Sequence, residues 1–520
     1  MINKSFSEGV FPRQLKNARV IPVFKEGSKC EVENYRPISL LSSLSKIYEK
    51  LMHNKIMNFL ELNNSIHENQ YGFRSGRSCE HALLTAQQTL LDSLSKHQVS
   101  LLLLIDFSKD FDMVDHKILL DKLENYGIRG MALKWLKSYL ENRTQFVTID
   151  GIDSSTKQME YGVPQGSILG PLLFVIYIND LPNISKFAKF IMYADDANII
   201  LTGKNIVEIN EQLMVIRDEL EKWVGHNGLA LNLKKTKYMI FSRQQTEKQL
   251  PSPFTLGNIL IEHKTEARFL GVIIDDKLTW SSHIKALQAK MSRYIGIMYK
   301  LKSLLPLKTR IQIYHSFVQS HINYCSLIWG FSAKSNIEKL FCAQKKGIRA
   351  VVPGFINYKY RASNRGGIIP GHTKEYFKKF NIMTVHGVIV TNTLLFMHKV
   401  RHFSHTLPPS VLHTIAKNSP SPGSTFESCQ DWLNYINNHI FFKSVFFKGP
   451  LLSIIPEISV YIVRQSLFSL NFYKSSIKRH LLNVQSLGLE EWKSDNFLLY
   501  NIPGLRSSLR ETVGDICYVE

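Results

Sequence analysis

Residues 190–201 read Phe-Ile-Met-Tyr-Ala-Asp-Asp-Ala-Asn-Ile-Ile-Leu. The pattern predicts two short apolar strands joined by a polar turn, with Asp195 and Asp196 at the tip. Adjacent carboxylates at the mouth of an apolar hairpin repel each other unless a cation lies between them. Taken alone, the stretch leaves two readings open. It is a tip that binds a metal ion, or an exposed turn in water, since Asp is a common turn residue.

The chain has 520 residues, too many for one core, so three or four domains are expected. It holds 64 Lys and Arg against 43 Asp and Glu, a net charge of +21. Residues 1–275 are nearly balanced, with 33 basic and 31 acidic residues, whereas residues 276–400 hold 20 and 3. A segment that basic faces a polyanion, or is a solvated basic surface without a partner. The six cysteines (Cys30, Cys79, Cys325, Cys342, Cys429 and Cys517) form no C-x-x-C pair, which argues against a zinc knuckle and suits a reducing compartment. No apolar run approaches the roughly 18 residues of a membrane span. Met1–Val10 lacks a signal-peptide core. A cytoplasmic or nuclear location, with no membrane partner, is therefore expected. Ser419–Ser424 reads as a loop or linker.

In chain order, residues 17–42 are strand-like pieces broken by Pro22, Gly27 and Pro37, with Lys25 and Arg36 beside the breaks. That placement suits phosphate binding and suits ordinary surface charge equally. Ser45–Leu62 predicts a helix with Ile47, Leu51, Ile56 and Leu60 on one face. Gln70–Ser78 is a Gly-interrupted basic turn before a helix over His81–Leu94, where backbone amides with Arg74 or Arg77 could cradle an anion. Leu101–Ile105 reads as a strand buried on both faces and closed by Asp106, a carboxylate that needs a cation or several donors there. Asp115 and Asp121 read as caps and surface charge. Pro164-Gln165-Gly166 is a turn into an apolar helix over Ile168–Ile178, and Gly166 permits close approach of a ligand to backbone. An amphipathic helix follows the hairpin over Ile206–Trp223. Next come Asn232-Leu-Lys-Lys-Thr236 and a strand over Phe269–Asp275.

A strand ending in Asp, a Pro-Gln-Gly turn, an Asp-Asp hairpin, an Asn-x-x-Lys-Thr segment and a Phe-Leu-Gly strand, in that order, resemble the reverse transcriptases of non-LTR retrotransposons, most like the jockey group. The resemblance covers roughly residues 10–350. It implies an α+β right-hand polymerase with an antiparallel palm sheet and a mainly helical C-terminal region. The expected domains are fingers at 1–100, palm at 101–275, thumb at 276–360, and a region of unassigned role at 361–520.

The activity implied is RNA-directed DNA polymerisation by two Mg²⁺ ions, with Mn²⁺ as a substitute. RNA template, DNA primer, their duplex and dNTPs are the implied partners. By the resemblance, Asp106, Asp195 and Asp196 are the metal-binding catalytic carboxylates, and Lys235 protonates leaving pyrophosphate, with Lys234 as its rival. Lys25, Arg36 and Arg74 grip the triphosphate, Gln165 and Gly166 pack on template base and nucleotide, and Phe111 excludes a ribose 2′-hydroxyl. Phe269, Leu270 and Gly271 resemble the primer grip. Trp280–Leu304, with Ile284, Leu287, Met291, Ile295 and Met298 at helical spacing and Lys285, Lys290, Arg293, Lys300 and Lys302 among them, would track backbone phosphates. Three departures stand beside this. No endonuclease domain precedes Met1, no ribonuclease H domain or zinc knuckle is evident behind the thumb, and Asp110 occupies a position where the family has a small residue. The alternative is a decayed copy that binds nucleic acid without catalysis.

Overall fold

The computed structural model describes residues 1–108, 111–244, 248–352, 373–402, 407–409 and 411–412. Its contacts form two units, Met1–Ala82 with Lys96–Thr265, and Leu83–Ser95 with the described residues from Glu266 onward.

The first unit is built on the apolar run. Val99–Ile105 is a strand with every residue buried, because it is the middle strand of a five-stranded sheet. Asp196–Gly203 pairs antiparallel on one side of it and Lys237–Phe241 on the other. Lys189–Tyr193 closes one edge antiparallel, and the short strand Glu262–His263 closes the other in parallel. The sheet is thus antiparallel except at one edge pair. Helix Ile206–His226 supplies Ile209, Leu213, Ile216 and Leu220, at helical spacing, to the apolar core that includes this sheet.

A second sheet pairs Asn17–Phe24 with Tyr35–Leu40 as a hairpin, and Asn17–Phe24 runs parallel to Arg143–Ile149. Helix Ser43–Leu62 lies after it. It buries Ile56 and Leu60 as expected but exposes Ile47 and Leu51. Its inner face is instead Ser45, Tyr48, Glu49, Met52, Ile56, Met57 and Leu60, so the periodic apolar set read from the sequence mixes two faces.

In the second unit, Phe269–Asp275 is not one strand. Glu266–Phe269 and Val272–Asp275 form a hairpin, with Leu270-Gly271 as its two-residue turn. Tyr324 Oη caps that turn by donating to the Leu270 carbonyl at 2.7 Å. Helix Ser281–Lys300 buries Ile284, Leu287, Met291, Ile295 and Met298 and exposes Lys285, Lys290, Arg293 and Lys300. Lys302 departs from the expectation, because its Nζ donates to the Arg349 carbonyl at 3.0 Å, at the end of helix Lys334–Val351. Helices Thr373–Lys379 and Val385–His402 follow. The linker reading at 419–424 falls outside the described residues. Among the described residues, no helix is long and apolar enough to cross a membrane, and Cys30, Cys79, Cys325 and Cys342 are free thiols.

Candidate active site

Strand register brings the carboxylates together. Ile105 pairs with Ala197, so the next position along sets Asp106 beside Asp196. Tyr193 pairs with Asp196, leaving Ala194-Asp195 as the hairpin turn. Ala194 takes a left-handed conformation, φ +56°, which a larger or branched side chain would strain. On the other flank the ladder slips by three residues between the Leu104–Lys237 pair and the Phe107–Leu231 bridge. The slack is a tight loop at Asn232–Thr236, closed by Lys235 and Thr236 amides donating to the Asn232 carbonyl at 3.0 and 2.9 Å. The Asn232 amide in turn donates to the Asp106 carbonyl at 2.8 Å. The Asn-Leu-Lys-Lys-Thr segment is therefore a loop held against the aspartate that ends the central strand.

The electrostatics follow from that packing. Burial raises the Asp106 carboxyl above its ordinary range, Asp195 adds to the rise, and Lys235, Lys25 and the Asn232 side chain oppose it. Asp196 is pushed up to about 6, by burial first and then by the Asp195 and Asp106 charges, with Lys25 opposing. Asp195 and Asp196 keep exposed side chains, so water softens the burial contribution. The mutual repulsion is the part that a cation would relieve. Among the described residues no three His, Cys, Asp or Glu side chains converge into a ready-made metal cage. The donors fit Mg²⁺ all the same: they are oxygens on few carboxylates, and this ion keeps water and takes further ligands from phosphates.

The other predicted residues divide. Lys25 is exposed at the end of the Asn17–Leu40 hairpin, its amide donating to the Asn34 carbonyl at 2.8 Å, and Arg36 is exposed opposite Val23. Lys235 is half exposed, with only a 3.8 Å approach to Glu26, and Lys234 is exposed. Phe111 is half buried, its ring 5.1 Å from that of Phe174. Gly166, at φ +122°, does approach backbone closely, but the neighbour is the Ser39 carbonyl, 2.6 Å from where a Cβ would stand. Gln165 donates Nε2 to both oxygens of Asp112 at 3.2 Å. Phe269 is buried at the hairpin of the second unit. Asp110 lies outside the described residues.

Arg74 does not join the free cations. Its Nε and Nη2 bind both oxygens of Glu61 at 2.8 and 2.7 Å, and Nη1 donates to the His67 carbonyl. Arg77 donates to the Glu68 carbonyl and lies over the Tyr71 ring. The basic turn is an internal brace rather than an open cradle for an anion.

Sequence reading missed Glu49 and Asp112. Glu49 is fully buried, and its Oε2 accepts from the Ile168 and Leu169 amides at 2.7 and 3.3 Å, at the start of helix Leu169–Tyr177. The signal for it was local: Glu49 lies four residues after Ser45, whose hydroxyl it accepts at 2.7 Å, on the inner face of its helix. Nothing in the sequence pointed from Asp112 to Gln165.

An antiparallel sheet that brings aspartates from neighbouring strands to one end, with lysines around them, is the arrangement expected of the palm in a right-hand nucleic-acid polymerase. Residues 23–274 match the family described as reverse transcriptase (RNA-dependent DNA polymerase). The RNA-directed DNA polymerase from mobile element jockey of Drosophila funebris is 31% identical over 362 residues, 68% of this chain and 39% of that one. The probable RNA-directed DNA polymerase from transposon BS of Drosophila melanogaster is 30% identical over 358 residues, 66% of this chain and 39% of that one. The chain thus spans about two fifths, 39%, of the length of these relatives. In three dimensions the apo telomerase of Candida tropicalis aligns with a TM-score of 0.39 at 14% identity, covering 79% of this chain and 68% of that one. Reverse transcriptases generally work with divalent metal ions.

Proposed function

We propose that this chain is an RNA-directed DNA polymerase of a non-LTR retrotransposon. The observation that carries the reading is the register that sets Asp106 beside Asp196, one residue from Asp195, with Lys25 and Lys235 close enough to act on their charge. Two Mg²⁺ ions, or Mn²⁺ in their stead, would be held by Asp106, Asp195 and Asp196, and would supply charge neutralisation at the attacking hydroxyl and the triphosphate. The chain's own groups do the rest. Lys25 and Arg36 bind the incoming triphosphate. Lys235, or Lys234 beside it, gives a proton to the leaving pyrophosphate. Gln165, steadied by Asp112, and Gly166 pack on the base pair being formed, and Phe111 fills the space that a ribose 2′-hydroxyl would need. Arg74 is left out of this set because its guanidinium is held by Glu61 and the His67 carbonyl.

The same reading takes residues 1–100 as fingers and 101–275 as palm. It takes 276–360 as thumb, whose exposed Lys285, Lys290, Arg293 and Lys300 meet the phosphates of an RNA–DNA duplex, and leaves 361–520 without a role. The reducing compartment is cytoplasm or nucleus, in keeping with the four free thiols among the described residues. The test is primer extension by the purified chain on an RNA template with dNTPs and Mg²⁺. Extension that stops when Mg²⁺ is chelated is expected. Binding to the primed template without any extension would mean a chain that folds as a polymerase and only binds nucleic acid.

A further inference from the structure

Gln70 has no part in the reading above, yet it is wholly buried against the acidic hairpin. Asn69–Tyr71 lies along the outer hairpin strand as a short parallel ladder. The Met192 amide donates to the Asn69 carbonyl at 3.0 Å, and the Tyr71 amide donates to the Met192 carbonyl at 2.8 Å. The Gln70 side chain then reaches the turn itself. Its Oε1 accepts from the Ala194 amide at 3.2 Å and from the Gly72 amide at 2.9 Å. Both partners are donors, so the amide oxygen and not the nitrogen must face them. Nε2 is buried with no partner. A buried donor left unmet is costly, so the oxygen side of this amide has to offset it.

The neighbours fit the same purpose. Ala194 begins the turn in the left-handed conformation at φ +56°, and its N–H is one that Gln70 holds. A Cβ at residue 72 would stand 2.3 Å from the Ala194 nitrogen, so only glycine lets this segment come so close.

We propose that Gln70 is a positioning residue for Asp195 and Asp196. By gripping the first amide of the turn it fixes where both carboxylates stand relative to Asp106, without touching substrate itself. Its consequence for catalysis rests on the polymerase reading, but the grip is testable in the protein without metal or nucleic acid.

The experiment is hydrogen–deuterium exchange of the full chain, resolved to single amides, in the wild type, Gln70→Met and Gln70→Glu. Met keeps the length and bulk but has no acceptor, whereas Glu keeps an oxygen where Oε1 stands. The Ala194 amide should be protected in the wild type and in Gln70→Glu, and should exchange roughly tenfold faster in Gln70→Met, the effect of one lost hydrogen bond. The amides of Leu101–Ile105 should keep their protection. In primer extension, kcat of Gln70→Met should fall about tenfold with the dNTP KM within about twofold, and Gln70→Glu should recover part of it.

Wild-type exchange at Ala194 in Gln70→Met would overturn the proposal. So would an equal rise over the whole sheet, which would reduce Gln70 to general packing. If Gln70→Met does not fold, an unprotected Ala194 amide in the wild type or in Gln70→Glu overturns it instead. A wild type that fails to extend primers removes the polymerase reading and leaves the exchange result to decide the grip by itself.

Discussion

The acidic hairpin at Asp195–Asp196 and the basic turn at Gln70–Ser78 touch in the same unit, yet their charges meet different fates. At the hairpin, register crowds Asp106, Asp195 and Asp196 together, and beyond burial the Asp195 charge raises the proton affinity of Asp106, while the Asp195 and Asp106 charges raise that of Asp196. In the basic turn, Arg74 is bound at both ends of its fork by Glu61, and Arg77 is bent onto a carbonyl and a ring. Charge density at a turn therefore says little about function until its partners are counted. Unbalanced charge that the fold keeps in place is available for a ligand, whereas balanced charge is part of the scaffold.

Substitutions can break this contrast. The largest effect belongs to the hairpin. Asp195→Asn should lower primer extension on the order of 10³-fold or more, while circular dichroism and duplex binding stay near wild type, because a ligand for charge neutralisation in the transition state is lost. Near-normal extension by this variant would take the hairpin out of the mechanism.

Phe111→Val tests whether the sugar of an incoming nucleotide lies beside that acidic end. Half buried against Phe174, the ring can act only by its bulk. The preference for dNTPs over rNTPs should fall roughly tenfold or more, with dNTP use little changed. An unchanged preference in competition assays would leave Phe111 as packing alone.

Arg74→Ala should do the reverse of Asp195→Asn. Its side chain is 7% exposed and that of Glu61 is 38% exposed, so the pair is protected but not dry. Stability should fall by about 2 kcal/mol in denaturant titration, discounted for the solvent at Glu61, with the dNTP KM unmoved. A raised KM at unchanged stability would return Arg74 to the nucleotide site.

The smallest effect is a pH dependence. In the unfolded chain Asp196 ionises near pH 4, and in the folded protein it holds its proton to about 6. Between those values the folded state carries a proton that the unfolded state has released, so this group's contribution to stability falls as pH rises through that window. Asp196→Asn should raise Tm by about 2 °C at pH 7 in the absence of divalent ions, and the gap should close by pH 4. An equal gain at both pH values would mean that the raised proton affinity of Asp196 is not the cause.

Local patterns carried much of the fold. The acidic hairpin was legible because apolar strands flank two aspartates, and the core of strand Val99–Ile105 because the five apolar residues Leu101–Ile105 leave no solvent face. Helix Ser281–Lys300 was legible from five apolar residues at helical spacing. What escaped was long-range or hidden by like residues. Arg74 finds Glu61 thirteen residues back, and Glu49 caps a helix that starts about 120 residues later. Gln165 meets Asp112 across 53 residues. The Glu266–Asp275 hairpin was hidden because Leu270, in its turn, is itself apolar and makes Phe269–Ile274 read as one run. Residue type proposed each of these side chains or passed it over, but only the partner fixed its role.

The central claim is that Asp106, Asp195 and Asp196 together hold the divalent ions of a polymerase. It is tested most directly by titrating Mn²⁺, followed by electron paramagnetic resonance, into the full chain bound to a chain-terminated primer on an RNA template with a matching dNTP. The wild type should bind Mn²⁺ beyond what the nucleic acid and dNTP take up by themselves, and Asp106→Asn should lose that excess while still binding the primed template. The same bound Mn²⁺ in both proteins would contradict the account.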